Sequence, residues 1–104
     1  MKHPYISGIL WDDGNREKCQ KHGVTTQIIE DVLSRPVVIL PDESHSQIEQ
    51  RFNAIGQTEE KRYLFIVFTL RRKDNGIWIR PISVRYMHKK EVTTYEKENP
   101  HILH

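Results

Sequence analysis

A single cysteine, Cys19, in a chain of 104 residues leaves no partner for an internal disulfide and excludes a cysteine-rich zinc site. No apolar run approaches the roughly 18 residues that a membrane-spanning helix requires, and no charged start leads into an apolar leader segment. The expectation is therefore a soluble, cytoplasmic protein with no membrane partner. Internal repeats, low-complexity stretches and linkers are also missing, which points to one domain over residues 1–98 with a frayed tail over 99–104. Excess charge of one sign is scarce as well. The formal net charge of +2 is too small to establish a nucleic-acid partner, so where the basic residues cluster matters more than their sum. The six histidines show no metal-ligand spacing, and neither a metal nor a cofactor is expected.

What is present is organised around RYLFIVFTLRR, residues 62–72, which holds the one long apolar run, 63–70. Its aromatic and β-branched content, bounded by turn signals, predicts a strand buried on both faces. Before it come a short strand over 5–11 and a helix over 14–21 with Asp12 or Asp13 as N-cap and Gly23 as a left-handed stop. That helix has one apolar residue, Cys19, and Asn15, Lys18 and His22 line a polar face at i, i+3 and i+7. The plain alternative is a solvated helix held by Trp11 and Val24. A second helix follows Thr25, with Val24 and Ile29 forming a staple and Ile28, Ile29, Val32 and Leu33 forming a core stripe.

Strands are expected over 37–40, 47–57 and 77–86, the last two forming a meander with the central run. Asn75-Gly76 signals the second hairpin, and Pro81 requires either an edge position or a bulge. A charged helix over 89–97 closes the chain. The fold class is α+β, in the order β-α-α-β-β-β-β-α around a mainly antiparallel sheet. If both hairpin loops are even, Leu64, Ile66, Phe68 and Leu70 share a face with Arg51, Asn53, Ile55, Ile79, Ser83 and Arg85. Tyr63, Phe65, Val67, Phe52, Ala54, Trp78, Ile82 and Val84 then take the other face and seat the second helix, with Arg80 at its rim. Arg51 and Arg85 would flank a phosphate-binding groove, or would simply snorkel to solvent.

The stretch WDDGNREKCQKHGV followed by TTQIIEDVL, with RFNAIGQTEEKRYLFIVFT, RPISVRYM and KKEVTTY in that order, resembles the BrnT-like toxin family across about 11–95. One residue fewer between Trp11 and His22-Gly23 than the usual family pattern, and Thr25-Thr26 where an aromatic is usual, mark a divergent branch. The resemblance implies a RelE-like fold and a ribonuclease toxin of a type II toxin–antitoxin pair acting on RNA. It also implies a small BrnA-like antitoxin with a ribbon-helix-helix domain, through which alone operator DNA would be bound.

Metal-free RNA cleavage needs a base near the 2′-hydroxyl, cations on the phosphorane and a proton for the leaving oxygen. His22 can take either proton role near neutral pH, with Lys18 one turn earlier disfavouring its protonated form and binding phosphate. Arg51, Arg62, Arg80 and Arg85 are the phosphate clamps, Arg85 being counted with the catalytic group. Glu91 and Tyr95, at i and i+4, form a possible second acid–base pair. Each has a plainer alternative: His22 as a helix-end residue, Arg62 as a partner of Glu59 or Glu60, Glu91 as a cap, Tyr95 as a core anchor. Cys19 faces away from His22, so no Cys/His nucleophile pair is read. The rival to an endoribonuclease is a non-catalytic module of the same fold that binds antitoxin or RNA.

Overall fold

The computed structural model describes residues 5–42 and 49–100. In chain order the elements are β1 (Ile6–Ile9), α1 (Asp13–Cys19), α2 (Thr26–Ser34), β2 (Val38–Pro41), β3 (Phe52–Gln57), β4 (Tyr63–Lys73), β5 (Gly76–Tyr86) and α3 (Lys89–Glu98). The α+β order is the expected one. The sheet runs β1-β5-β4-β3-β2 and is antiparallel except for the β1–β5 pair. The apolar run lies at its centre. No helix among the described residues is long and apolar enough to cross a membrane. The start of the expected strand over 47–57 falls partly outside the described residues, and β3 itself begins at Phe52; the end of the expected tail, 101–104, also lies outside them.

Helix α1 departs from expectation in an informative way. Asp12 caps it by accepting from the Asn15 amide at 3.0 Å, while Asn15 Oδ1 accepts from the Asp12 amide at 2.7 Å. The helix then ends at Cys19, and the chain turns through residues 20–22, the Gly23 amide donating to the Gln20 carbonyl. Gly23 takes φ +80°, the left-handed value that its missing side chain permits. His22 is consequently a turn residue, not the end of a helical polar face. Asn15 leaves that face too. It is only 2% exposed, and its Nδ2 donates to the carbonyls of Leu10 and Pro81 at 2.9 Å each.

Those two carbonyls explain how the sheet tolerates Pro81. Strand β5 is not an edge; it lies between β1 and β4. The ladder to β1 has already ended, the Leu10 amide donating to Ile79 O, so beyond that point Asn15 takes the place of a strand residue. Proline's missing donor therefore falls where no partner strand remains. On the β4 side the bulge expected at Pro81 is present, the register shifting between Val67 and Phe68.

The two hairpins also follow local chemistry. Asp74 and Asn75 both have positive φ, giving the two-residue turn whose twist suits a hairpin, and Gly76 starts β5 instead of sitting in the turn. Between β3 and β4, Gln57 pairs with Tyr63, leaving the five residues from Thr58 to Arg62 in the loop. Lys61 absorbs the odd residue with φ 67°.

The core lies where α2 meets the sheet. Thr25 caps α2, and Ile29, Val32 and Leu33 pack on Ala54, Leu64, Ile66 and Val84, joined by Cys19 and Val24. A smaller cluster on the opposite face joins Tyr95 and Val92 of α3 to Ile55, Tyr63 and Phe65. Asn15 ties the first of these layers to β5. Replacing it by Ala strips three hydrogen bonds from groups with little access to water, and Asn15→Ala is expected to lower stability by about 2 kcal/mol. Lys18→Ala should stay within ~0.5 kcal/mol, as a surface change does. Urea unfolding of the two variants checks the contrast, and equal midpoints would remove Asn15 from its structural role.

Candidate nucleic-acid interface

Side chains alternate along a strand, so which residues share a face follows from register alone. The odd loop before β4 sets Phe52 opposite Phe68 and Ala54 opposite Ile66. The bulge sets Val84 opposite Ile66 and Ser83 opposite Val67, whereas before it Ile79 is opposite Leu70 and Trp78 opposite Arg71. Leu64, Ile66 and Phe68 therefore share the α2 face with Phe52, Ala54, Val84 and Ile79. Tyr63, Phe65, Val67, Thr69 and Arg71 share the other with Asn53, Ile55, Ser83 and Arg85.

This corrects the even-loop expectation. Phe52, Ala54 and Val84 belong with Leu64, Arg51 and Arg85 belong with Phe65, and α2 packs on the Leu64 face. β3 changed sides through the loop, and β5 changed sides beyond the bulge while Trp78, Ile79 and Arg80 kept the expected ones, so Arg51 and Arg85 still share a face. Arg80, one pair before the bulge and opposite Thr69, joins them, as does Arg71. One sheet face thus carries Arg51, Arg71, Arg80 and Arg85.

Carboxylates hold the guanidinium groups of Arg71, Arg80 and Arg85 in place. Arg85 donates through Nη1 and Nη2 to the two Glu91 oxygens at 2.7 and 2.9 Å, and its guanidinium lies 4.9 Å from the centre of the Phe65 ring. Arg80 donates to both oxygens of Asp12, at 3.0 and 3.2 Å, linking this face to the start of α1. Arg71 pairs with Glu49. The Arg85 fork, joined by the His88 amide, holds the Glu91 carboxyl down at about 2. Arg80 and the Asn15 amide do the same for Asp12, also to about 2. These pairs remain partly open to water, each side chain of the Arg85–Glu91 pair being 36% exposed. They orient the guanidinium groups and contribute little to stability.

The remaining candidates are placed as follows. Lys18 and His22 are exposed on α1 and the turn after it, and neither side chain makes a hydrogen bond or ion pair among the described residues. No contact joins them to Arg85. Arg62 sits in the loop on the α2 side, its guanidinium 3.5 Å from the Tyr86 ring centre, beside a groove of about 300 Å³ that Gln27, Asp31, Glu59 and Glu60 also line. It makes no ion pair with either glutamate. Tyr95 is buried under α3 with its ring edge-on to Tyr63, and burial pushes its hydroxyl up. Cys19 is fully buried, its thiol pushed up to about 11, which makes it inert as a nucleophile.

Among the described residues no three His, Cys, Asp or Glu side chains are grouped to hold a metal ion. At the far end of the α2 face lies an apolar groove of about 410 Å³ lined by Tyr5, Ile6, Ile39, Phe52, Phe68, Leu70 and Ile77, in which the Tyr5 phenol is the sole titratable group of the lining. Arg71 and Trp78, directly opposite one another on the arginine face, are the two residues that sequence reasoning left out of the interface. Trp78 already falls on the Tyr63 face in the sequence reading; what was missing was the loop and bulge parity that brings Arg51 and Arg85 to that face.

The model of the family described as the ribonuclease toxin BrnT of type II toxin–antitoxin systems matches residues 11–91. No curated protein matches the chain.

The Arg85–Glu91 pair carries a pH signature. Because the folded-state value of Glu91 lies below the ordinary 4.5, its stabilising effect is complete above that pH and fades as pH falls toward about 2. The urea midpoints of wild type and Glu91→Gln should therefore differ by a constant amount from about pH 7 to pH 5 and converge below about pH 4.5. A difference that persists unchanged down to about pH 3 would remove the Glu91 carboxylate as its source.

Proposed function

The chain belongs to the BrnT family of ribonuclease toxins of type II toxin–antitoxin systems, and on that footing we propose that it is a metal-independent endoribonuclease whose substrate strand crosses the arginine face. The observation that carries this is the gathering of Arg51, Arg71, Arg80 and Arg85 on one side of the sheet, in a chain whose net charge is only +2. Guanidinium forks match phosphate oxygens in pairs, and orienting them beforehand removes part of the entropic cost of the match.

Cleavage by such a site is internal transesterification. The substrate 2′-hydroxyl loses its proton to a base and attacks the adjacent phosphorus. The 5′-oxygen leaves with a proton from an acid, and a 2′,3′-cyclic phosphate remains. Arg85, fixed on Phe65 and Glu91, stabilises the extra negative charge on the phosphorane, and Arg51 and Arg80 hold the flanking phosphates. His22 moves the protons, with Lys18 beside it on an element that the Asp12–Arg80 pair ties to this face. Glu91, ionised down to about pH 2, positions Arg85, and Tyr95 anchors α3. Arg62 serves the opposite side of the sheet and stays outside the substrate track.

The proposed partner is a small BrnA-like antitoxin with a ribbon-helix-helix domain, through which the pair reaches operator DNA. The RelE-like fold and the cytoplasmic site of action come with the same family reading. One observation favours a second possibility, a module that binds RNA without cutting it: the ionisable side chain that Arg85 contacts is Glu91, a carboxylate held ionised and so unsuited to proton transfer.

Incubation of purified protein with mixed RNA in excess chelator separates the two. Cleavage is expected to persist without metal, to fall about 10²–10³-fold in Arg85→Ala, and to fall about 10²–10⁴-fold in His22→Ala. Loss of cleavage on chelation overturns metal independence. Cleavage that survives both substitutions overturns the site, and binding without cleavage establishes the second possibility.

A further inference from the structure

Trp78 is the largest side chain on the arginine face, and it belongs to neither apolar cluster. It stands directly opposite Arg71 and two residues before Arg80, so it interrupts the row of guanidinium groups with an aromatic ring. Its Nε1–H donates to the Lys73 carbonyl at 3.1 Å, which fixes the orientation of the indole at the hairpin end of the sheet. Below it is Gly8 of the neighbouring strand. A Cβ there would lie 3.0 Å from Cζ3 and 3.4 Å from Cε3 of the indole, so glycine is what lets the ring lie down against β1. One side of the ring is covered in this way, and the residue remains half-buried instead of sealed.

A partly exposed indole, locked in orientation and set among cations on a sheet, is the arrangement that single-stranded nucleic acid uses: bases stack on the aromatic ring and phosphates sit on the cations. We infer that Trp78 is a stacking platform for an unpaired nucleobase of the RNA strand, at the opposite end of the arginine row from Arg85. From the Phe65–Arg85 pair to the Arg71–Trp78 pair the row spans six residue steps of β4, roughly 20 Å at strand rise. A bound strand of a few nucleotides would place its cleaved phosphodiester at Arg85 and a flanking base on Trp78. The platform therefore governs affinity and which stretch of RNA is held, not the chemistry of the cut. This inference rests on the arginine face being the RNA-binding face.

The test is equilibrium binding of a short 2′-O-methyl oligoribonucleotide, which cannot be cleaved because its 2′-oxygen is blocked, across a salt series. Trp78→Ala is expected to bind about 10-fold more weakly with an unchanged salt slope, because a stack and no phosphate contact has been lost, and Trp78→Phe to recover most of the affinity. Arg85→Ala should weaken binding and lower the slope by about one. Trp78→Ala binding within about 2-fold of wild type while Arg85→Ala loses affinity overturns the platform and leaves the RNA face standing. Arg85→Ala and Arg51→Ala both binding like wild type overturns the RNA face itself. As a check that needs no truncation at this position, Trp11→Phe leaves Trp78 as the only indole. Quenching of its emission at saturating oligonucleotide is expected, and unchanged emission overturns the platform.

Discussion

Everything on the functional side of this molecule depends on the direction in which the side chains of β4 point, and on two irregularities that set its neighbours against it. A strand has period two, so one extra residue in a loop or a bulge moves a neighbour's whole set of side chains to the other face. Here the extra residue before β4 is taken up at Lys61, and the one in β5 falls beside Pro81, where the missing amide already made a regular ladder impossible. The result is a sheet with a chemical polarity. One face is apolar and carries α2, and the other gathers guanidinium groups. Without the bulge, Arg85 would point into the core under α2, at a desolvation cost that its pair with Glu91 could not recover.

Asn15 makes that bulge affordable to the fold. It is at once a helix residue, a reciprocal cap with Asp12 and a donor to the carbonyls of Leu10 and Pro81. By standing in for the strand that β1 does not supply, it lets β5 carry a proline in the interior of a sheet. The same contact brings Asp12 beside Arg80. The α1 segment, almost without a hydrophobic stripe, is thus located by polar contacts at one end and by Cys19 and Val24 at the other.

The elements were legible in the sequence because each rests on local chemistry. The caps at Asp12 and Thr25, the Asp74-Asn75 turn, the break at Pro81 and the apolar stripe of α2 all act within a few residues of themselves. What could not be read was arithmetic over longer range. Whether the loop before β4 held four residues or five turned on Lys61 adopting positive φ, an unusual choice for lysine that no composition signal announces. Asn15 was misplaced for a related reason: a short polar helix looks solvated unless the two distant carbonyls it satisfies are known. Arg51 and Arg85 were expected to flank one face and do so, but only because two independent errors of parity cancelled.

The carboxylates on the arginine face give it a second property. Asp12, Glu49 and Glu91 each occupy an arginine that a phosphate would also want, so under the proposed function an RNA strand would have to exchange with them as well as arrive. The exchange is cheap in geometry, since a carboxylate and a phosphate present paired oxygens to the same fork. It is not cheap in charge, because Glu91 and Asp12 stay ionised at any physiological pH and remain beside the incoming anion. Binding that relied on cations alone would be held back by these acids and weakened further by salt. A contribution that is blind to charge, such as stacking on an aromatic ring, is what such a face would need to hold RNA at physiological ionic strength, and Trp78 is the aromatic residue on it that neither apolar cluster engages.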